Sequence, residues 1–214
     1  MAVICMAGTI GSGKSSLASM LGKELGTEVF YESVEDNPVL PLFYKDPSKY
    51  AFLLQIYFLN KRFGSIKKAL YNKNNIIDRS IYEDSLLFHL NADLGRANYQ
   101  EVKVYDSLLE NMLEELDTSR YKKRPDLLVH IQVSFSTMLK RIKKRGREYE
   151  QLSYDPSLYS YYKELNKRYA QWYKDFDICP KVQINGDQFN FVENEEDAKK
   201  VLEIIKNKLK ENDK

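Results

Sequence analysis

The residues Gly8-Thr9-Ile10-Gly11-Ser12-Gly13-Lys14-Ser15 match the pattern G-x-x-x-x-G-K-[ST] without a mismatch. Such a run suits a polyphosphate: the glycines bring the backbone close without Cβ clashes, the loop N–H groups donate to phosphate oxygens, and Lys14 reaches the β- and γ-phosphates. The Ser15 hydroxyl is expected on Mg²⁺, with Ser16 continuing into a helix. Further along stand Glu32, the pair Asp78-Arg79, and Arg141-x-x-x-Arg145-Gly146-Arg147. Phosphoryl transfer asks for positioning, Mg²⁺, mobile positive charge and a carboxylate for the attacking hydroxyl. Each part has a candidate. Lys14, Arg141, Arg145 and Arg147 would neutralise phosphate charge, Ser15 with Asp78 would organise Mg²⁺, and Glu32 would orient or deprotonate the hydroxyl. Asp78 is the second candidate for that last role.

These groups work together only if the fold delivers them to one edge. Ala2–Ala7 is an apolar run suited to a strand buried on both faces, and Leu17, Met20, Leu21 and Leu25 carry helical spacing after the loop. Further strands are expected at Glu28–Glu32, Asn74–Asp78, Asp126–Val133 and Lys181–Ile184. Helices are expected from Ser48 to about residue 70, at 80–92 and 98–116, from Ser134 to Arg145, from Pro156, and from Glu195 to Leu209. Residues 33–47, with Pro38, Pro41 and Pro47, read as an irregular loop. The alternation argues for a parallel five-stranded sheet between helices, a three-layer α/β fold. In such sheets ligands gather at the carboxyl ends of the strands, where the glycine loop, Glu32 and Asp78-Arg79 all fall.

Composition narrows the partners. In 214 residues, 33 Lys and Arg face 31 Asp and Glu, a net charge of +2, which gives no electrostatic case for nucleic acid. The length suits one domain over 1–214, with the phosphate loop at 8–16. Two cysteines, Cys5 and Cys179, are too few for a disulfide framework, and no stretch is apolar enough to span a bilayer, so a cytoplasmic setting is expected. Gln55 among apolar neighbours reads as a buried amide that needs partners. His89 and His130 lack metal-ligand spacing and read as structural, and Leu158, Tyr162, Leu165, Tyr169, Trp172 and Phe176 read as a packing face.

Together these residues resemble the deoxynucleoside kinases, the family of deoxycytidine, deoxyguanosine and mitochondrial thymidine kinases, and especially its bacterial deoxyadenosine/deoxyguanosine branch. The resemblance implies ATP as donor with Mg²⁺, and Glu32 as the base at the nucleoside 5′-hydroxyl. It places Tyr44 on the 3′-hydroxyl and Gln55, within Phe52-Leu53-Leu54-Gln55-Ile56-Tyr57, on the base edge; Phe52 joins the nucleoside contacts. Asp78-Arg79-Ser80 matches the acid-Arg-Ser motif. Arg62 and Asp84 match a base-facing pair. Arg141, Arg145 and Arg147 match the arginines of a lid at about 141–151, and Glu150 its sugar-contacting glutamate. The segment Asn185-Gly186-Asp187-Gln188-Phe189 departs from the family's adenine-side loop, Asn-Glu-Asp-Phe. A homodimer through the helices at 48–70 and 98–116 is also implied, as are deoxyadenosine as preferred substrate, deoxyguanosine and deoxycytidine as lesser ones, and little thymidine activity.

Two rivals share the loop. A GTP-driven switch would need D-x-x-G and N-K-x-D; no glycine has Asp three positions before it, and neither Asn60-Lys61-Arg62-Phe63 nor Asn166-Lys167-Arg168-Tyr169 ends in Asp. A nucleoside monophosphate kinase shares loop and lid but must bind a second phosphate. Because Lys14 faces the donor phosphates, Lys14→Ala is expected to abolish turnover while leaving deoxynucleoside binding measurable by calorimetry. Loss of nucleoside affinity with ATP affinity intact would contradict that placement.

Overall fold

The N-terminal apolar run forms β1 (Val3–Ala7), the middle strand of a five-stranded sheet in a computed structural model that describes residues 3–32, 34, 36–69, 75–118 and 124–212. The other strands are β2 (Glu28–Phe30), β3 (Asn75–Asp78), β4 (Leu127–Gln132) and β5 (Lys181–Asn185), in the spatial order β2-β3-β1-β4-β5. All four pairings are parallel, and Ile4 of β1 lies between Ile76 of β3 and Leu127 of β4. The order reverses beside β1, so the phosphate loop that follows β1 opens at a switch point of the sheet.

Eight α-helices follow in the described residues: α1 (Lys14–Leu25), α2 (Leu40–Lys45), α3 (Pro47–Ala69), α4 (Asp84–Asp93), α5 (Tyr99–Thr118), α6 (Phe135–Arg145), α7 (Leu158–Asp175) and α8 (Glu195–Asn212). The period-2 alternation of strand side chains sorts them into layers. Ile4, Met6, Leu127, Val129 and Ile131 pack with Leu17 and Leu21 of α1 and with Val201 and Ile205 of α8. Cys5, Ala7, Ile77 and Leu128 face the other way, onto Leu59 and Ile66 of α3, Phe88 of α4 and Tyr105 of α5. A third cluster, built from α2, α3, α4, α6 and α7, lies beyond the carboxyl ends of the strands and walls the cleft there. No helix of the described residues is long and apolar enough to cross a membrane.

The structure departs from the sequence expectations at element ends. Residues 40–45, read as loop, are helix α2: the Asn37 Oδ1 accepts from the N–H groups of Val39 (2.9 Å) and Leu40 (3.0 Å), and Pro41 falls in the first turn. Proline is tolerated there because its missing N–H would be unpaired anyway. The helix expected at 80–92 opens as a 3-10 turn, Ile81–Glu83, before α4. Strand β2 stops at Phe30, so Glu32 stands two residues beyond it. Helix α7 starts at Leu158 rather than Pro156, and α8 runs to Asn212. Ala2, Ser33, Glu35, residue 70 and Asn74, which the expectations included, lie outside the described residues.

Candidate active site

The phosphate loop is held open by its glycines. Gly8, Gly11 and Gly13 take φ of 141°, 75° and 100°, and a Cβ on Gly8 would lie 2.6 Å from the carbonyl oxygen of Ile131. Helix α1 starts at Lys14 with no side-chain cap, so its first N–H groups face the loop as anion donors. The Lys14 ammonium donates to the carbonyls of Gly8 (2.8 Å) and Thr9 (3.0 Å). Burial, helped by nearby Arg79, lowers its pKa to about 8. The hydroxyls of Thr9 and Ser12 are buried without hydrogen-bond partners.

Two carboxylates stand opposite. Asp78 ends β3, and its Oδ2 accepts from the Ser15 hydroxyl, while its buried Oδ1 has no partner. A carboxylate with an unsatisfied oxygen beside a hydroxyl fits a hard cation that keeps phosphate and water ligands, as Mg²⁺ does. Among the described residues no set of three or more His, Cys, Asp or Glu gathers to hold a metal. Glu32 lies on the other side, under two arginines that both engage its Oε1. Arg79 Nε approaches to 2.7 Å, an ion pair turned off the line of a hydrogen bond, and Arg62 Nη2 donates at 3.2 Å. Burial pushes the Glu32 carboxyl up, but Arg79, Arg62 and Lys14 outweigh it and hold its pKa at about 2.

Arg79 is the one non-glycine residue with positive φ (82°) among the described residues. Its Nη1 donates to the Tyr169 hydroxyl at 2.7 Å. Below it lies Glu83, whose Oε1 accepts from the N–H of Ser80 (2.9 Å) and whose Oε2 accepts from that of Gly8 (3.3 Å). Glu83 is fully buried, and burial raises its pKa against the pull of Arg79.

One cleft joins Gly11, Gly13, Lys14, Ser15, Ser16, Glu32, Tyr44, Gln55, Asp78 and Arg79 with Arg141, Arg145, Arg147 and Glu150. Gln55 is buried, and its Oε1 lacks a partner. Tyr44 packs against Tyr149 with the rings tilted and their centroids 4.9 Å apart, which brings it beside the turn that carries Glu150. The arginines of the expected lid divide. Arg145 and Arg147 pair with Glu150, whereas Arg141 donates to the carbonyls of Ser12 and Gly186, each at 2.8 Å, bridging the phosphate loop to the 185–189 segment. In that segment Gly186 and Asp187 line the cleft and Phe189 packs in the core.

Phe52, Arg62 and Asp84, expected to contact the nucleoside, are not among the residues that line this cleft. Phe52 packs in the core 6.0 Å from Phe88, while Leu54 and Phe58 of the same helix line the cleft. Arg62 and Asp84 pair at 2.6 Å as expected, but Asp84 is fully buried and neither residue lines the cleft; Arg62 instead supports Glu32 from behind. Glu83 went unseen in the sequence reading, although Ser80-x-x-Glu83 carries the spacing of a capping box, which the structure forms. Tyr169, read as packing, also holds Arg79. His130 is structural, stacked 4.7 Å from Tyr173 with its Nδ1 against Gln183.

Comparisons with known proteins bear on the family and the fold. A family model described as deoxynucleoside kinase matches residues 4–210. The chain belongs to the deoxynucleoside kinase family. It is 62% identical over 211 residues to a deoxyguanosine kinase of Lactobacillus johnsonii, covering 99% of this chain and 94% of that one. It is 54% identical over 209 residues to a deoxyadenosine kinase of Lactobacillus acidophilus, covering 98% and 97%. Among solved structures, deoxyadenosine kinase from M. mycoides with dCMP and dCDP bound as products aligns at a TM-score of 0.79 with 32% identity, over 98% of this chain and 99% of that one. Deoxynucleoside kinase activity follows from this membership.

The charge on Glu32 makes a prediction for this kinase. A carboxyl whose pKa falls from 4.5 unfolded to about 2 folded stabilises the protein fully above pH 4.5, and that stability is lost as pH drops toward 2. The stability gap between wild type and Glu32→Gln is therefore expected to be constant above about pH 5 and to close on acidification. Urea denaturation at a series of pH values measures it, and a gap independent of pH would contradict the assignment.

Proposed function

We propose that this kinase transfers the γ-phosphoryl group of ATP to the 5′-hydroxyl of a purine 2′-deoxynucleoside. The observation that carries the reading is the placement of Glu32, with Arg79 and Arg62 behind it, across one cleft from Lys14 and Ser15. Both arginines take Oε1, which leaves Oε2 for the attacking hydroxyl. A carboxyl with a pKa near 2 is a weak base, but the loose transition state of phosphoryl transfer demands little proton removal before bond breaking. Glu32 therefore orients the hydroxyl and accepts its proton late. Lys14 and the arginines Arg141, Arg145 and Arg147 neutralise charge on the transferring group. Ser15 and Asp78 would hold Mg²⁺, which would supply positive charge to the donor phosphates.

The unpaired Gln55 Oε1 calls for a donor on the base edge. Adenine offers its amino group, and guanine offers both N1–H and its amino group. Tyr44 and Glu150, drawn together by α2 and the turn Glu148–Glu150, suit the 3′-hydroxyl. The amide alone does not choose between purines, and the adenine preference expected earlier rested on family resemblance. The higher identity to a relative named deoxyguanosine kinase favours deoxyguanosine, with deoxyadenosine as the second reading.

The test is kcat/KM with ATP for the four natural deoxynucleosides, run beside dGMP and dAMP as acceptors. The purine deoxynucleosides, deoxyguanosine first, are expected to exceed thymidine by roughly tenfold to a hundredfold, with the monophosphates inert. Highest activity on thymidine, or activity confined to the monophosphates, would overturn the proposal.

A further inference from the structure

Tyr169 is 1% exposed, and its ring is well used by packing alone: parallel to His130 at 6.2 Å and edge-on to Trp172 at 6.0 Å. A phenylalanine would serve that packing, so the hydroxyl, which must be hydrogen-bonded to be tolerated at this depth, calls for its own account. It accepts from Arg79 Nη1 at 2.7 Å and lies close enough to the Glu83 carboxylate to interact with it electrostatically. Glu83 in turn holds the N–H of Gly8, the first glycine of the phosphate loop. Arg79 Nη1 also lies 3.9 Å from Glu83, so Arg79 on the acceptor side of the cleft is joined through Glu83 to Gly8 on the donor side, with Tyr169 behind it and outside the cleft lining.

Arg79 needs such support. Its backbone sits at φ 82°, where an L-residue persists only when its surroundings hold it. Its Nε contact to Glu32 is off the line of a hydrogen bond, and its Nη1 lies 3.9 Å from Glu83. The bond to Tyr169 is the well-aligned restraint on the guanidinium. We propose that Tyr169 is a positioning residue for phosphoryl transfer, its hydroxyl fixing Arg79 against Glu32. This rests on Glu32 and Arg79 forming the 5′-hydroxyl site, and wild-type turnover in the same assay tests that reading separately.

The experiment compares wild type, Tyr169→Phe, Arg79→Lys and the double variant for kcat, nucleoside Kd and melting temperature. Tyr169→Phe is expected to lower kcat about tenfold, the effect of losing one hydrogen bond to a charged group, with nucleoside Kd changed by less than about twofold. In the Arg79→Lys background the same substitution is expected to cost nothing further, because its effect passes through Arg79. Additive losses, or an unchanged kcat in the single variant, would overturn the proposal. A measurement on the unaltered protein guards against a variant that does not fold. By NMR the Arg79 Nη protons should exchange slowly with solvent, and free exchange would equally overturn it.

Discussion

Burying Glu32, Arg62, Arg79 and Asp84 side by side is the constraint on which the site depends. Charges removed from water cost several kcal/mol each unless paired and hydrogen-bonded, so such a group persists only if every member is held in register. Here each comes from a different place: Glu32 from just beyond β2, Arg62 from α3, Arg79 from the end of β3, and Asp84 from the start of α4. Arg62 sits at the centre, its Nε on Asp84, its Nη2 on Glu32 and its Nη1 on the carbonyl of Arg79. Displacing any one element would strand an unpaired charge. The network therefore fixes where the carboxylate stands relative to the phosphate loop, and it holds Glu32 ionised.

The donor side is tied in by separate bonds. Glu83 holds Gly8, Arg141 bridges the carbonyls of Ser12 and Gly186, and Asp78 reaches Ser15. Each joins the loop after β1 to an element beyond the neighbouring strands, so the loop's shape depends on tertiary contacts as well as on its glycines. Glu150, pulled on by Arg145 and Arg147, performs the same service beside Tyr44. Most carboxylates and arginines of the cleft thus already neutralise one another, and Lys144 pairs with Glu193, which leaves positive charge along α6 at Lys140 and Arg141.

How legible this was in the sequence varies with how local each signal is. Apolar strand runs and a contiguous glycine pattern are local, and β1, the phosphate loop and the helices from Lys14, Pro47 and Phe135 lie within a few residues of where spacing places them. Helix α2 was hidden because three prolines made 33–47 read as loop, although Pro41 fits the first turn of a helix and Asn37 accepts from the N–H groups at its start. Side-chain partners depend on depth, which spacing along one helix does not fix. Phe52 and Gln55 are three residues apart, and the rotation of α3 against the sheet puts one in the core and the other in the cleft. Arg62 and Asp84 pair as motif matching suggests, but how deeply the pair is buried is something motif matching does not give. Tyr169 meets Arg79 across a separation that no window along the chain spans, whereas Glu83, four residues from Arg79, carried the local capping-box signal.

The central claim is that two buried arginines hold Glu32 ionised far below the ordinary carboxyl range. The direct measurement is the carbon-13 NMR titration of the Glu32 side-chain carboxyl in the folded, ligand-free protein. The account predicts a chemical shift that stays flat from neutral pH down to about pH 3, because the group titrates near 2. A titration step at or above the ordinary value of 4.5 would contradict it.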